Sequence, residues 1–157
     1  MTKHQAYLGL GANLGDREAT ILKAYEEIER LIGAIVRRSA FFYSEPWGFE
    51  SAHSFVNTVI MVETALAPHA LLRQTQRIER LMGKRAEHAT ERKDSPRGAL
   101  EGPHYHDRPI DIDILLYDDL TIDTPTLKIP HPLMQEREFV MIPLKEILTY
   151  ADREPSQ

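Results

Sequence analysis

The sequence predicts an α+β fold because segments with strand periodicity and segments with helix periodicity alternate in the order β-α-β-β-α-β. Apolar residues recur every second position in the strand segments and every third or fourth position in the helix segments. A chain of 157 residues with 42% hydrophobic content is long enough for one domain with a hydrophobic core and too short for two such domains. We therefore expect a single domain over residues 1–157 with a ferredoxin-like core. Its sheet should be mainly antiparallel, with both helices on one face and C-terminal additions.

The first predicted strand has one apolar face and one nearly bare face. Ala6, Leu8 and Leu10 form the apolar face, and Gly9 and Gly11 leave the other face without side chains. The glycines suit either a close approach by a ligand or a tight turn into the next helix. Their spacing is one residue too long for a dinucleotide-binding loop, so we exclude a Rossmann fold.

The first helix is predicted to begin after Asp16, a good N-cap, and to continue to Gly33. Its buried positions are predicted to be Ile21, Leu22, Tyr25, Ile28, Leu31 and Ile32. A second strand follows over residues 34–43, and a third over residues 55–63. Asn57 stands among apolar residues of the third strand. Its amide needs hydrogen-bond partners, which either the backbone or the edge of a flat heterocycle would supply.

The second helix is predicted to begin at Pro68 and to end at Gly83, with Gln76 and Glu79 together on a face beside its buried side. Residues 84–104 have no periodicity, and they contain prolines, glycines and both signs of charge. This length without periodicity predicts a long lid-like loop.

The most informative pattern lies in residues 107–117, where Asp111 and Asp113 alternate with isoleucines. Aspartate is depleted in strands, so two on one face need a reason. Mg²⁺ supplies one, because it takes one or two protein carboxylates and completes its octahedron with waters and phosphate oxygens. An acidic edge strand that resists aggregation is the alternative. Arg108 precedes Asp111 by three residues and is placed to contact phosphate.

The C-terminal part is predicted to contain a turn at residues 118–119, a short strand at 126–129 and a final helical region with Arg137 and Phe139. His131 stands between two prolines, which hold it stiffly for a phosphate or metal contact or for a purely structural place in the loop. Residues 152–157 are predicted to form a frayed tail.

The composition excludes several classes of function. A net charge of −5 and a pI near 5.8 disfavour general nucleic-acid or membrane-surface binding. The absence of cysteine excludes disulfides, thiolate zinc sites and a thiol nucleophile. No apolar segment is long enough to span a bilayer. We expect a cytoplasmic monomer that acts on small molecules.

Six motifs occur in the order in which one enzyme family has them. They are Gly9-x-Gly11-x-Asn13-Leu14-Gly15, Glu45-Pro46-Trp47-Gly48, Phe55-x-Asn57, Gln76-x-x-Glu79, Asp107-Arg108-x-Ile110-Asp111-Ile112-Asp113-Ile114 and Pro130-His131. The sequence resembles the 6-hydroxymethyl-7,8-dihydropterin pyrophosphokinases of folate biosynthesis over nearly its whole length. The Arg-x-x-Asp-x-Asp strand is the most specific of these motifs.

The resemblance implies transfer of the terminal pyrophosphoryl group of ATP to the hydroxyl of 6-hydroxymethyl-7,8-dihydropterin, with release of AMP. It implies that Asp111 and Asp113 hold two Mg²⁺ ions and act in catalysis together with Arg108. The implied ATP contacts are Gln76, Glu79, Lys84, Arg108, Ile114, Lys128, His131 and Arg137. The implied pterin contacts are Glu45, Pro46, Phe55, Asn57 and Phe139, with the ring stacked between the two phenylalanines.

The lid departs from the family pattern. Lys84 stands where an arginine is common, and Ala86 falls at the place of a second arginine. The residues available as substitutes are Arg85, Arg92, Lys93 and Arg97. The general base is also open, between a metal-bound water and Asp113.

Two other classes of function compete with the enzyme. A ferredoxin-like RNA-binding module would need exposed aromatic residues and a basic face, which the acidic composition opposes. A regulatory domain that binds a small molecule would leave the paired aspartates without a purpose.

Overall fold

The computed structural model describes residues 2–13, 15–44, 55–94 and 109–153, and it describes residues 84–94 and 149–153 by their backbone alone. Five antiparallel strands form the central sheet. They are β1 (His4–Ala12), β2 (Gly33–Arg38), β3 (Phe42–Ser44), β4 (Phe55–Thr64) and β5 (Asp111–Tyr117). The strand order is β2-β4-β1-β5, and β3 pairs with the beginning of β4.

Three helices and a small hairpin complete the described fold. The helices are α1 (Arg17–Leu31), α2 (Pro68–Asp94) and α3 (Glu138–Arg153), with a 3₁₀ turn at Met134–Glu136. The hairpin consists of β6 (Ile122–Asp123) and β7 (Lys128–Ile129). The predicted ferredoxin-like order and the antiparallel sheet are confirmed. No helix in the described part of the chain is both long and apolar enough to cross a membrane.

One face of the sheet packs against α1 and α2 and forms the main hydrophobic core. Alternate residues of the strands supply it, because successive side chains of a strand point to opposite faces. The strand residues of this core include Ala6, Leu8, Leu10, Val56, Ile60, Val62, Ile112 and Ile114, and the helices add Ile21, Ile28, Leu71 and Ile78. The predicted apolar face of β1 is therefore confirmed.

The opposite face packs against α3 over only part of its area. A second cluster there joins Val59 and Met61 of β4 and Leu115 of β5 to Met134, Val140, Leu144 and Ile147. Glu146 of α3 also accepts hydrogen bonds from the Ala40 amide at 3.2 Å. The other end of this face carries Gly11, Asn57 and Asp111, by the register of β1 with its two neighbours.

The prediction that the second helix ends at Gly83 is wrong, because α2 continues to Asp94. Glycine costs about 1 kcal/mol relative to alanine inside a helix, which is too little to end one with good flanks. The following residues 84–94 are mostly lysine, arginine, alanine and glutamate, which are strong helix formers. The first eleven residues of the predicted loop 84–104 are therefore helical, and residues 95–104 lie outside the described part.

The predicted second strand is interrupted at Ser39. Its first part is β2 and its second part is β3, and both pair with β4. At the break the Ser39 hydroxyl accepts a hydrogen bond from the Val59 amide at 3.0 Å and lies 2.9 Å from the Thr58 hydroxyl. Side chains thus take over the backbone partners that a continuous strand would have supplied.

The end of α1 also differs from the prediction. The helix ends at Leu31 and Gly33 already belongs to β2, where a Cβ would lie 2.0 Å from the Glu63 carbonyl oxygen. Gly33 is therefore required by the close approach of two strands. Asp16 does cap α1, since its carboxylate accepts a hydrogen bond from the Ala19 amide at 3.1 Å. Leu22, predicted to be buried, is 50% exposed.

Two boundaries near the C-terminus shift by two residues each. The predicted strand 126–129 is reduced to Lys128–Ile129, because residues 124–127 form the turn of the hairpin. Helix α3 extends to Arg153, so the first two residues of the predicted tail 152–157 are helical.

Candidate active site

Asp111 and Asp113 lie on one face of β5, as the alternation predicts. Asp111 is exposed and Asp113 is half-buried. The antiparallel register pairs Asp111 with Gly11 and Asp113 with Gly9 of β1. The two carboxylates therefore share a face at the edge of the sheet, opposite strand positions that have no side chain.

The bare face of β1 is covered by two neighbouring side chains. A Cβ on Gly9 would lie 3.4 Å from Leu115 Cδ1, and a Cβ on Gly11 would lie 3.2 Å from Asn57 Oδ1. Both glycines therefore serve close packing within the sheet. Gly15 instead adopts the left-handed conformation of a turn, with φ 60°.

Asn57 is buried, and the residues that the structure describes leave its carbonyl oxygen without a partner. The residue is 5% exposed, and Oδ1 has no hydrogen bond within the described residues. An unsatisfied buried acceptor costs about 1–3 kcal/mol, so this oxygen is a candidate contact for a bound molecule. Backbone hydrogen bonding from the described ranges, the alternative for this amide, does not satisfy the oxygen. A ligand that donates an N–H would.

Phe55 and Phe139 lie on the α3 side of the sheet. Phe55 is two residues before Asn57 on β4 and is partly buried, whereas Phe139 in the first turn of α3 is 36% exposed. The Arg137 guanidinium lies 5.6 Å from the centre of the Phe139 ring, within the range of a cation–π contact. One face of the Phe139 ring is thus turned to a cation.

A pocket of about 270 Å³ opens between β5, α2 and the β6–β7 hairpin. Its lining is formed by Leu72, Ile112, Asp113, Ile114, Pro125, Thr126, Leu127, Lys128, His131 and Pro132. Four of the residues that we predicted for metal or ATP binding are among them: Asp113, Ile114, Lys128 and His131. Asp113 belongs both to this pocket and to the carboxylate pair, so a molecule in the pocket would lie beside this aspartate.

The two basic residues of the pocket differ in what their side chains do. Lys128 Nζ donates to Asp123 Oδ1 at 2.7 Å and to the Thr124 carbonyl at 3.2 Å, and this ammonium lowers the pKa of Asp123 by its hydrogen bond and its charge. The Lys128 side chain thus braces the hairpin. His131 Nδ1 accepts a hydrogen bond from the Leu133 amide at 3.3 Å, which leaves Nε2 to carry the proton of the neutral ring as a donor.

Helix α2 borders the pocket along one stripe of side chains. Leu72, Gln76 and Glu79 are spaced four and three residues apart, so they share a side of the helix. Leu72 lines the pocket, and Glu79 Oε2 accepts a hydrogen bond from the Ile112 amide at 2.7 Å. Gln76 therefore lies between two contacts with the pocket wall.

The carboxylate pair is the set of donors that a metal ion would find here. Among the side chains that the structure describes, no three or more histidine, cysteine, aspartate or glutamate residues are grouped to hold a metal ion. Two carboxylates suit Mg²⁺, which draws its other ligands from water and phosphate. They do not suit structural zinc, which needs four protein ligands.

Four predicted site residues cannot be placed by their side chains. Glu45, Pro46 and Arg108 lie outside the described residues, and Lys84 is described only as backbone in α2. Sequence analysis in turn missed the pocket wall at residues 125–127. The signal was the run Asp-Thr-Pro-Thr at 123–126, which is rich in turn formers and separates two isoleucines that pair in the hairpin.

Comparison with known proteins gives the relationship of this chain. The family model for 7,8-dihydro-6-hydroxymethylpterin-pyrophosphokinase matches residues 7–149. The 2-amino-4-hydroxy-6-hydroxymethyldihydropteridine pyrophosphokinase of Porphyromonas gingivalis is 41% identical over 142 residues, which cover 90% of this chain and 88% of that protein. The enzyme of the same name from Aquifex aeolicus is 40% identical over 141 residues, covering 90% of this chain and 78% of that protein.

Solved structures show the same fold. A crystal structure of an HPPK-DHPS in complex with substrates matches with a TM-score of 0.68 at 15% identity, over 94% of this chain and 40% of that chain. The HPPK-DHPS of Plasmodium falciparum matches with a TM-score of 0.66 at 16% identity, over 92% of this chain and 40% of that chain. This chain therefore spans well under half of those longer proteins. With the profile match and the close relatives, it belongs to the 7,8-dihydro-6-hydroxymethylpterin-pyrophosphokinase family.

Proposed function

We propose that the face of β5 that carries Asp111 and Asp113 is the catalytic centre of a Mg²⁺-dependent pyrophosphokinase. The enzyme transfers the pyrophosphoryl group of ATP to the hydroxyl of 6-hydroxymethyl-7,8-dihydropterin in folate biosynthesis. The observation that carries the assignment of the site is the position of Asp113, which borders the pocket on one side and shares its face with Asn57 on the other. The two substrates would thus meet at the carboxylates.

The pocket beside β5 is proposed to hold ATP. Ile114 and Lys128 line the pocket and are proposed to contact the nucleoside, and Gln76 and Glu79 of α2 are proposed to contact it from the side of Leu72. His131 Nε2 is proposed to donate to a phosphate oxygen. Arg137, Lys84 and Arg108 are proposed to add positive charge for the remaining phosphates, as guanidinium and ammonium groups do.

The pterin is proposed to lie over the end of β4. Its amino or ring N–H would donate to Asn57 Oδ1, a buried oxygen that has no partner in the part of the chain that the structure describes. Phe55 and Phe139 are proposed to stack on its two faces. Glu45 and Pro46 complete the proposed set.

Asp111 and Asp113 are proposed to hold two Mg²⁺ ions, which when bound neutralise charge on the ATP phosphates and orient them. The chain positions the two substrates. The pocket would hold the nucleotide and the Asn57 amide would hold the pterin, so that the hydroxymethyl oxygen faces the β-phosphorus. A bond forms between these two atoms, the bond from the β-phosphorus to the bridging oxygen breaks, and AMP leaves. Among the residues of this chain, Asp113 is the candidate to receive the hydroxyl proton.

Phosphorus NMR tests the reaction and the site together. The purified chain with Mg²⁺, ATP and the pterin is expected to give AMP and a pterin diphosphate, and Asp111→Ala is expected to remove both signals. Formation of ADP would overturn the transfer of a pyrophosphoryl group. Unchanged turnover in Asp111→Ala would overturn the metal site while leaving the reaction intact.

We further propose that the enzyme is a cytoplasmic monomer. The outer strands β2 and β5 each have one backbone amide bonded to a glutamate of the same chain, which opposes pairing with a second copy at those amides. Light scattering during size-exclusion chromatography is expected to give a mass near 18.0 kDa. A mass of twice that value would contradict the monomer.

A further inference from the structure

The two outer strands of the sheet are each bonded by a glutamate from a helix. Glu29 of α1 accepts a hydrogen bond from the Ile35 amide of β2 at 3.1 Å, and Glu79 of α2 accepts one from the Ile112 amide of β5 at 2.7 Å. Outer strands present unpaired amides, and a carboxylate that accepts from one forms a charge-assisted bond. The same device thus occurs at both edges of one sheet.

The bond at β5 has a special place in the chain. Ile112 is the residue between Asp111 and Asp113, so Glu79 bonds to the main chain midway between the two proposed metal ligands. The bond is part-buried, whereas its counterpart at Glu29 is exposed. A hydrogen bond to a carboxylate restrains the strand more strongly when it is shorter and less exposed to solvent.

Helix α2, which carries Glu79, covers one face of β5, and the aspartate side chains lie on the opposite face. The Ile112 side chain belongs to the core that α2 covers, and the side chains of its two neighbours alternate to the other face. Through this bond Glu79 reaches the strand at its backbone edge. Its effect on the carboxylates therefore passes through the main chain.

We propose that Glu79 is a positioning residue, which fixes the β5 backbone so that Asp111 and Asp113 hold the spacing that a divalent cation needs. The inference rests on the proposed function, because it takes the two aspartates as metal ligands. Metal sites tolerate errors of only about 0.5 Å in their ligands, and groups that orient ligands typically change affinity by about 10- to 100-fold when removed. Helix α2, which runs on to Asp94, is thereby tied to the metal-binding strand.

The test compares three variants by a measurement that needs no turnover. Binding of Mn²⁺, in place of Mg²⁺, is followed by electron paramagnetic resonance in the presence of a nonhydrolysable ATP analogue. Glu79→Ala is expected to weaken Mn²⁺ binding by about tenfold, within the range for groups that orient metal ligands. Glu79→Gln is expected to recover most of it, because the amide oxygen still accepts from Ile112. Glu29→Ala is the matched control, since it removes the same kind of bond at the other edge, and it is expected to bind Mn²⁺ normally.

The outcomes separate this inference from its alternatives. If Glu79→Ala weakens Mn²⁺ binding no more than Glu29→Ala does, the positioning role is overturned. If Glu79→Ala instead weakens the ATP analogue at saturating Mn²⁺ and leaves the metal affinity unchanged, Glu79 contacts the nucleotide and the inference is equally wrong. If Asp111→Ala and Asp113→Ala themselves leave Mn²⁺ binding unchanged, the metal site of the proposed function fails first.

Discussion

The two faces of the central sheet are built from the same strands but differ in what they contain. The face under α1 and α2 is dry and apolar, with Leu8, Ile60 and Ile112 among its buried residues. The face under α3 is apolar only beneath that helix and carries Asn57 and the aspartates beyond it. Since alternate residues of a strand point to opposite faces, adjacent positions in the sequence serve different purposes.

This difference shows how a small domain separates stability from chemistry. Burial of apolar side chains on the first face stabilises the fold, so the second face can hold groups that are unfavourable in isolation. Those groups are two carboxylates side by side and a buried oxygen that no described residue bonds. Substitutions on the two faces should therefore affect different measurements.

The largest effect is expected from Asp113→Ala on the α3 face. Loss of one proposed metal ligand should lower kcat/KM by on the order of 10³, as removal of one electrostatic contact to a transition state typically does. The melting temperature should hold or rise slightly, because the repulsion between the carboxylates is relieved. Asp119→Ala, in the exposed turn after β5, is the control. Normal kinetics in Asp113→Ala would remove this residue from the mechanism.

The opposite result, a loss of stability with unchanged turnover, is expected of Ile60→Ala on the face under α1 and α2. Ile60 is fully buried at the centre of β4, and truncation should lower the free energy of unfolding by about 3 kcal/mol. Urea denaturation measures this, and Val36→Ala, at a position that is 45% exposed, should change it by less than about 0.5 kcal/mol. Turnover of the folded protein at low temperature should be unchanged. A tenfold loss of kcat in folded Ile60→Ala would contradict the separation of the two faces.

A smaller effect is expected from Gly11→Ala, which acts on the α3 face through a neighbour. The new Cβ would lie 3.2 Å from Asn57 Oδ1 and should push the amide aside. Misplacement of a binding group by a fraction of an ångström should weaken pterin binding by roughly tenfold, measured by calorimetry. Gly9→Ala meets Leu115 at 3.4 Å instead and should leave pterin affinity near normal. Equal losses in both variants would argue against Asn57 as the pterin contact.

The smallest effect is expected at the far end of β5, where Asp118 joins the strand to the N-terminus. Burial alone would raise the pKa of Asp118, but hydrogen bonds from the Gln5 amide and the His4 ring, together with the His4 charge, hold it below its ordinary value. A lowered pKa in the folded state contributes stability above the unfolded value, and this is lost as the pH falls below about 4. Asp118→Asn should cost less than about 1 kcal/mol at pH 7.

The measurement for Asp118 is the melting temperature between pH 3 and pH 7. The fall of stability on acidification should be shallower in Asp118→Asn than in the parent chain, because one carboxylate no longer has to be protonated. Asp119→Asn, at the neighbouring exposed turn position, should follow the parent chain. Identical slopes in Asp118→Asn and the parent would show that the ionised carboxylate adds nothing to the fold.

Much of the fold followed from the sequence because its signals are local. Neighbouring residues determine the alternation in β1 and β5, the helix cap at Asp16 and the strand that contains Asn57. The errors occurred where a local signal was outweighed. Gly83 did not end α2 because the residues after it favour helix, and Gly33 is placed by the approach of β4.

Motifs and periodicity predicted candidate residues for the site, but they did not predict how those residues are arranged. The paired aspartates, His131 and Asn57 were found by motif and by periodicity. That Lys128 turns to Asp123, or that Arg137 lies over Phe139, depends on contacts that no spacing in the chain encodes. The hairpin wall of the pocket was missed because its residues are ordinary turn formers.

The sequence by itself determined the order of strands and helices, the shared face of Asp111 and Asp113, and the family. These depend on periodicity and on motif order, which are properties of the linear chain. Only the tertiary structure decided that the Asn57 amide covers Gly11, and that Glu79 bonds the backbone between the aspartates. Glu79 and Ile112 are 33 residues apart in the chain. They meet because packing of α2 against the sheet brings the helix to the edge of β5. That packing depends on contacts throughout the hydrophobic core, which residues close together in the chain do not determine.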